Sequence, residues 1–525
     1  MAQQIKTNQF QRAIIKGIGI PKYLAEQEQL KATRDQEVRM LTDEVDTYEQ
    51  IENKMWYAGD ASELEFFYKS HHKPHVYEEH SFYREVNTNI PRAHYPLASA
   101  VSNAFGTLLF NTAPIIRVNS GSQTRDDKYN KRLKELLDIN DFLSLLQSAA
   151  QKQSYSGSVA LKLNVDRTIA NTPLITVYPK EDFRVHRKFG QVIYIVFYDY
   201  YGEYRLESTY GRGYISYKLY KGKTEQVLAA LPETETLKDI AFFDKDGNIL
   251  PLVFAEVIDN KAGGRSDYEG LMSSFHALDE TYSAMINYIR KTKPNIFITE
   301  DIAKKDAQGR PLQLNEFDNV ITVLDSTPNG EGTKIERDIH NLNITGYTDA
   351  FVALREMILV KVNLSPATIG LRSTGGARES SEALRIREQA SLRARAEKLS
   401  IWNEKLKSFI YTALILDELM NEAIQEREGI FKFQGRTEFD INCEFGEFYE
   451  PTLEERMNIF GKALAAGICS VDFAIAQTFG NQLSDIELQA LMIQTKQERG
   501  IPLTKEQEEL LAQGDKLKFS SLSFK

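Results

Sequence analysis

Five of the eight histidines, His71, His72, His75, His80 and His94, fall in one short stretch. Imidazoles at that density are candidate zinc ligands. No cysteine stands among them and no HExxH spacing occurs, so the stretch reads as a polar loop rather than a metal site. A second candidate is Gly375-Gly376, in a loop that also carries Arg372 and Arg378. A phosphate cradle needs GxxxxGK[ST] fed by a strand. Neither the Lys-Ser/Thr nor the strand accompanies these glycines, which excludes P-loop nucleotide hydrolysis. There is no GxSxG. The paired carboxylates Asp279-Glu280 lie among apolar residues at helical spacing, so a solvated or intersubunit helix face is expected for them. Cys443 and Cys469 are the only cysteines, which excludes a disulfide framework and a Cys-ligated zinc. The residues therefore predict no catalytic group, no cofactor and no metal.

Nine of the 25 tyrosines lie between Tyr194 and Tyr220. They suit a base-stacking platform, but tyrosine is also a favoured strand residue, and strand packing is the expected role.

These residues sit in a chain of 525, long enough for about three domains at ~150 residues each. Charged residues make up 26% and hydrophobic residues 42%, ordinary globular usage. Mean hydropathy is -0.40, and no apolar run approaches the ~18 residues of a membrane span. The N-terminus carries no apolar leader. The net charge is -10. A chain that grips DNA through its phosphates is usually basic, so an acidic one is expected to avoid nucleic acid or to let it pass.

Apolar residues recur at helical spacing at Leu41, Val45, Tyr48, Ile51 and Met55. Residues 91–150 read as mainly helical, with a short strand at Ile115–Val118 and a helix break at Ile139–Asp141. The period then changes to two at Val159, Leu161 and Leu163. Further strands are expected at Leu174–Tyr178, Val192–Tyr198, Tyr204–Glu207, Tyr214–Leu219 and Leu252–Ile258, with a hairpin at Asp246-Gly247. Ser266-x-x-Glu269 reads as a capping box. It precedes a seam of Leu271, Phe275, Leu278, Tyr282, Met285 and Ile289 at alternating spacings of four and three. Pro294 ends that helix, after Lys291 and Lys293. Strands at Asn295–Thr299, Val320–Leu324 and Thr333–Arg337 form a compact insert. A second helix carries Tyr347, Phe351, Leu354 and Ile358. Pro366, Gly370, Gly375 and Gly376 then predict an irregular, mobile loop. A long helix runs from Ser381 to about Leu419, charged on several sides at first and amphipathic from Leu399 onward. A short strand-like stretch, Thr437–Phe445, comes after it. Thr452-x-x-Glu455 and Ser484-x-x-Glu487 open small C-terminal helices.

This order of parts resembles the portal proteins of tailed double-stranded DNA bacteriophages, of the type found in siphophages of Gram-positive bacteria. Three runs carry the resemblance. Leu136-Leu137-Asp138, Asn140-Asp141-Phe142 and Tyr155 to Lys162 look like the family's helix-to-strand passage. Leu278 to Ser283, continuing to Arg290-Lys291-Thr292-Lys293-Pro294, looks like its first stem helix. Glu379 to Arg385, then Glu388 to Arg393 and Trp402, looks like the helix after its tunnel loop. The resemblance covers roughly residues 30–480.

It implies an α+β portal fold. Residues 1–262 would be a wing, helical and then β-rich. Residues 263–293 and 343–362 would be the two stem helices, and 294–342 a small αβ clip. Residues 363–380 would be the tunnel loop, and 381–445 the long helix with a return to the wing. Residues 446–525 would be a helical crown and tail. It further implies a homo-oligomeric ring, dodecameric in the capsid, through which DNA is packaged and ejected. The implied partners are the terminase large subunit, a head-completion or adaptor protein, the major capsid and scaffolding proteins, and the passing duplex, with no membrane. The location would be the portal vertex of the virion, and the host cytoplasm during assembly. Six residues, Lys291, Lys293, Arg372, Gly375, Gly376 and Arg378, would line the channel, and the seam would join subunits. A ring of about twelve chains would carry a charge of ~-120, which repels a tight grip on phosphates. The rival readings are another virion structural protein such as a coat protein, which lacks a helix–insert–helix stem, and a terminase-like ATPase, which needs a P-loop.

Overall fold

The computed structural model describes residues 47–71, 82–83, 91–167, 169–244, 246, 248–291, 295–299, 321–324, 335–338, 344–371, 388–422, 424–427, 430–433, 439–446, 453–479, 485–503 and 507. The fold is α+β, and its contacts divide the chain into a unit ending at Gly446 and another beginning at Glu447.

The first unit opens with helices α1 (47–58), α2 (Ala61–Ser70) and α3 (Leu97–Leu109). Asp60 caps α2, its carboxylate accepting from the backbone N–H of Ser62 and Glu63 at 2.7 and 3.1 Å. Strand β1 (Ile115–Asn119) leads into α4 (Gln123–Ile139) and α5 (Phe142–Ser156), with the expected break between the two helices. Asp141 makes that break in the left-handed region, at φ 42, which a short polar side chain tolerates. Gly157 ends α5 at φ 87, and a Cβ there would strike the backbone carbonyl of Gly264. The corner therefore requires glycine for both conformation and space.

Two sheets come next. In the smaller, β2 (Ser158–Asn164) lies between β3 (Leu174–Pro179) and β10 (Ala255–Asp259), all antiparallel. The larger has eight strands among the described residues. Along it run β14 (Ile424–Arg427), β15 (Ile430–Lys432), β9 (Ile240–Phe243), β7 (Tyr214–Lys221), β6 (Tyr204–Gly211), β5 (Gln191–Tyr201) and β4 (Phe183–Lys188), while β8 (Thr224–Gln226) pairs with β7. The strands expected from period two are present with ends shifted by a few residues. The Asp246 turn is also formed, Asp244 Oδ1 accepting from the N–H of Asp246 and Asn248. Five of these strands were not expected: β4, β8, β9, β14 and β15. Lys162 joins the sheets. Its ammonium stands 3.4 Å from Asp199 on β5 and faces the rings of Tyr178, Phe197 and Tyr210 at 5.1–5.5 Å. Burial pulls its pKa down, and Asp199 opposes that shift.

Helix α6 (Met272–Lys291) does not use the expected capping box. Ser266 Oγ accepts from Tyr268 N at 2.9 Å and donates to Ser154 O at 3.1 Å, while Glu269 pairs with Arg265 at 3.3 Å. Ser266 therefore anchors a turn, and the helix starts only after Gly270. A three-stranded sheet succeeds it: β11 (Asn295–Thr299) at its centre, β12 (Ile321–Leu324) parallel to it and β13 (Ile335–Asp338) antiparallel. Helix α7 (Thr345–Lys361) then packs on α6. Ring pairs Tyr282–Phe351 at 5.8 Å and Tyr288–Tyr347 at 5.5 Å set the two helices antiparallel.

Helix α8 (Gln389–Glu422) has 34 residues, about 51 Å at 1.5 Å per residue. Trp402, Leu406, Phe409, Ala413 and Leu416 run along its buried stripe and fill the main core with residues of α4, α5 and both sheets. Strand β16 (Asp440–Glu444) closes on β1.

The second unit holds α9 (Leu453–Ala465), α10 (Val471–Phe479) and α11 (Asp485–Glu498). Phe460 meets Phe473 edge-on at 6.1 Å, and Lys496 bonds Asp472. Thr452 and Ser484, the expected cap residues, lie outside the described residues.

Candidate functional site

The helix pair α6–α7 is held to the body by two buried polar clusters. The first is built on α6 itself. Asp279 is 1% exposed and accepts hydrogen bonds from Tyr83 Oη at 2.7 Å and Tyr95 N at 2.9 Å, while His94 Nδ1 lies 2.7 Å away. One turn later, Ser283 Oγ accepts from Ala93 N at 2.9 Å and donates to Ala93 O at 3.1 Å. The extended segment Ala93–Tyr95 thus lies along α6, gripped at i and i+4. Burial, then the neighbouring Asp279, holds the Tyr83 phenol well above its usual range. The expectation of a solvated or intersubunit face for Asp279 is corrected: the carboxylate is a hub inside the protomer.

The second cluster ties the turn before α6 to α8. Lys398 Nζ lies 2.9 Å from Asp267 Oδ2 and also donates to Asn260 Oδ1. Asn260 Nδ2 donates to Asp267 Oδ1 at 3.0 Å and Ser154 Oγ to Oδ2 at 2.8 Å, and Lys261 stands 3.3 Å away. The ammonium also faces Phe105, 4.3 Å from the ring centroid. Burial alone would raise Asp267, but Lys398 and Lys261 outweigh it and hold the carboxyl below its usual range. The bond from Asn260 pulls the carboxyl the same way, whereas burial pulls the Lys398 ammonium below its usual range against the opposing effect of Asp267.

Where α7 ends, Ser365 caps a 3-10 turn, Pro366–Ile369, which Gly370 closes at φ 78. The expectation that 363–380 lacks regular structure is thus corrected for this first part. Proline fits because the first position of such a turn needs no N–H donor. Ser391 on α8 receives Ser365 N at 2.8 Å and shares a bond with Thr368 Oγ1 at 2.7 Å. Arg395, on the same helix, donates to Leu108 O at 2.7 Å and also bonds Gly446 O.

The seam residues divide. Leu271, Phe275 and Leu278 are buried inside this chain, Phe275 against Trp56 at 5.2 Å and Tyr268 at 5.5 Å. This half of the expected seam therefore packs within the protomer. Tyr282 and Met285 are half-buried and Ile289 is 40% exposed. On α7, Met357 and Val360 are 61% and 74% exposed, positions that the sequence pattern did not single out. Lys291 is the last residue of α6. Lys293, Arg372, Gly375, Gly376 and Arg378 lie outside the described residues, as do His72, His75 and His80.

A cleft of ≈ 310 Å³ beside the turn is lined by Glu49, Gln50, Lys180, Arg265 and Glu269 among others. Its mixed charges offer no single-sign ligand field. Among the described residues, no group of three His, Cys, Asp or Glu side chains could hold a metal ion, and no helix is long and apolar enough to cross a membrane. Burial pushes the Cys443 thiol up to about 11, which makes it inert.

No family model and no curated protein matches the chain. Among solved structures it is similar to a chain from the neck of an empty gene transfer agent particle, at 11% identity and a TM-score of 0.39, covering 78% of this chain and 91% of that one. It is likewise similar to a chain from the native particle's neck, at 12% identity and 0.36, covering 78% and 91%. A chain from the native virion matches at 11% identity and 0.34, covering 79% and 96%. Likenesses at such scores carry no functional argument.

Proposed function

We propose that this chain is the portal subunit of a tailed double-stranded DNA bacteriophage, a virion protein without enzymatic activity. Copies assemble into a ring, dodecameric in the capsid, at one vertex. DNA is packaged and later ejected along its axis. The observation that carries this reading is the antiparallel pair α6–α7, with an insert of separate three-stranded sheet leaving and re-entering at one shared end. Such an insert projects from the end of the helices and suits a docking platform, first for the terminase motor and then for a head-completion protein. The link from α7 to α8, which carries Arg372 and Arg378, would meet passing phosphates. An acidic chain supports the reading, because a net charge of -10 on each subunit keeps the duplex from sticking.

Negative-stain imaging of the purified protein tests it. Rings with a central hole are expected. Monomers or closed shells would overturn the assignment.

A further inference from the structure

Four hairpin loops of the large sheet contain two residues each: Phe189-Gly190, Gly202-Glu203, Arg212-Gly213 and Gly222-Lys223. In the last three, glycine takes the positive φ, at 60, 77 and 61. In the first, Phe189 stands at φ 51 before Gly190 at φ 78. A loop with positive φ at both positions strongly favours Asn-Gly or Asp-Gly. Among the described residues, the non-glycine positions at positive φ are Asp141, Asn363 and Phe189. Asp and Asn tolerate this region through local hydrogen bonds, whereas a bulky aromatic there is an outlier.

Burial inside the protomer does not offset that strain, since Phe189 is 94% exposed. Strain kept at an exposed tip points to a role outside the chain. The tip is also basic. Strand β4 carries Arg184, His186, Arg187 and Lys188 with no carboxylate. Arg187 is paired with Asp259 at 3.1 Å, whereas Lys188 stands over the Phe189 ring, 5.7 Å from its centroid.

We propose that the β4–β5 hairpin tip is a docking peg for a second copy of this chain, with the Phe189 ring seated in an apolar recess and Lys188 facing carboxylates of that copy. Charge complementarity selects this partner. Each copy carries -10, so copies repel, and a basic element where they meet offsets that repulsion locally. A nucleic-acid duplex suits the tip less well, because one aromatic on a convex turn offers no stacking platform. The inference rests on the ring reading and deepens it.

The test compares the wild type with Phe189→Asn, Phe189→Trp and Lys188→Glu, by sedimentation velocity over a range of protein concentrations, with thermal melting as the fold control. Asn is the residue this loop prefers, so F189N should melt at the wild-type temperature or above. It should nonetheless need about tenfold more protein to assemble, as expected for loss of an aromatic anchor. F189W should assemble as the wild type does. K188E should weaken assembly, most strongly at low salt. A folded F189N that assembles at wild-type concentrations overturns the peg alone. So does an F189N that keeps assembly but loses affinity for a fluorescent DNA duplex. A wild type that stays monomeric at every concentration overturns the ring reading and the peg together.

Discussion

Lys398 Nζ and Asp267 Oδ2 meet at 2.9 Å in the interior, joining the long helix α8 to the turn that launches α6. Removing one member of a buried ion pair costs about 3–5 kcal/mol, because the other charge is left unpaired. Asp267→Asn should therefore lower the free energy of urea unfolding by about that amount. The pH dependence comes from the lowered carboxyl of Asp267. Its contribution is complete above the ordinary Asp value and disappears as pH falls through the depressed native value. The gap between wild type and variant should narrow below about pH 4. A gap that stays constant from pH 7 to pH 3 would show that this carboxyl is not ionised in the fold.

Asp279→Asn should loosen segment 93–95 from α6. The cost is about 3 kcal/mol, since the carboxylate accepts several charge-assisted bonds. Tyr83→Phe removes one donor and should cost less. Guanidinium melts give the energies, and amide exchange at Tyr95 should accelerate in the Asp279 variant alone.

Phe275 and the α7 surface should separate folding from assembly. Phe275→Ala opens the core under Trp56 and should cost about 3–5 kcal/mol by denaturation. Met357→Asp with Val360→Asp changes only exposed positions and should leave the melt nearly unchanged. Light scattering should show the double variant assembling less readily than wild type. Equal assembly would place the subunit contact elsewhere.

Ser391→Ala should cost about 1 kcal/mol, the usual worth of a neutral hydrogen bond. The specific readout is faster amide exchange at Ser365, with little change in the core of α8.

Purified protein should not turn over ATP, because no GxxxxGK[ST] occurs in the sequence. Hydrolysis that co-migrates with the assembled protein would contradict the non-enzymatic reading.

Most strands and both antiparallel helices were legible, because alternation and helical spacing survive in residues such as Val159, Leu161 and Leu163 or Tyr282 and Phe351. Strand β4 was not, since Phe183-Arg184-Val185-His186-Arg187-Lys188 is basic where most of its side chains face water. The role of Asp279 was hidden for a different reason. Its partners Tyr83, His94 and Tyr95 lie 184–196 residues away in sequence, and nothing in the local pattern of a helix announces them. Ser266-x-x-Glu269 misled because Gly270 delays the helix, leaving the serine to anchor a turn. Phe189 was invisible to pattern reading, since a lone phenylalanine before glycine looks like any strand end until its φ is known.

Two open sheet edges are completed very late in the chain. Strand β15 joins β9 in parallel, and β16 joins β1. Each partner is made after about 190 or more further residues, a delay of roughly 10 s or longer at ~5–20 residues per second of synthesis. Throughout that interval the nascent chain presents Ile115–Asn119 without its partner and Ile240–Phe243 paired to β7 on one side alone, templates for mispairing with neighbouring chains on the same message. Yield on expression is therefore expected to depend on how quickly residues 424–444 emerge. Truncations that stop before them should aggregate even when every upstream element is intact.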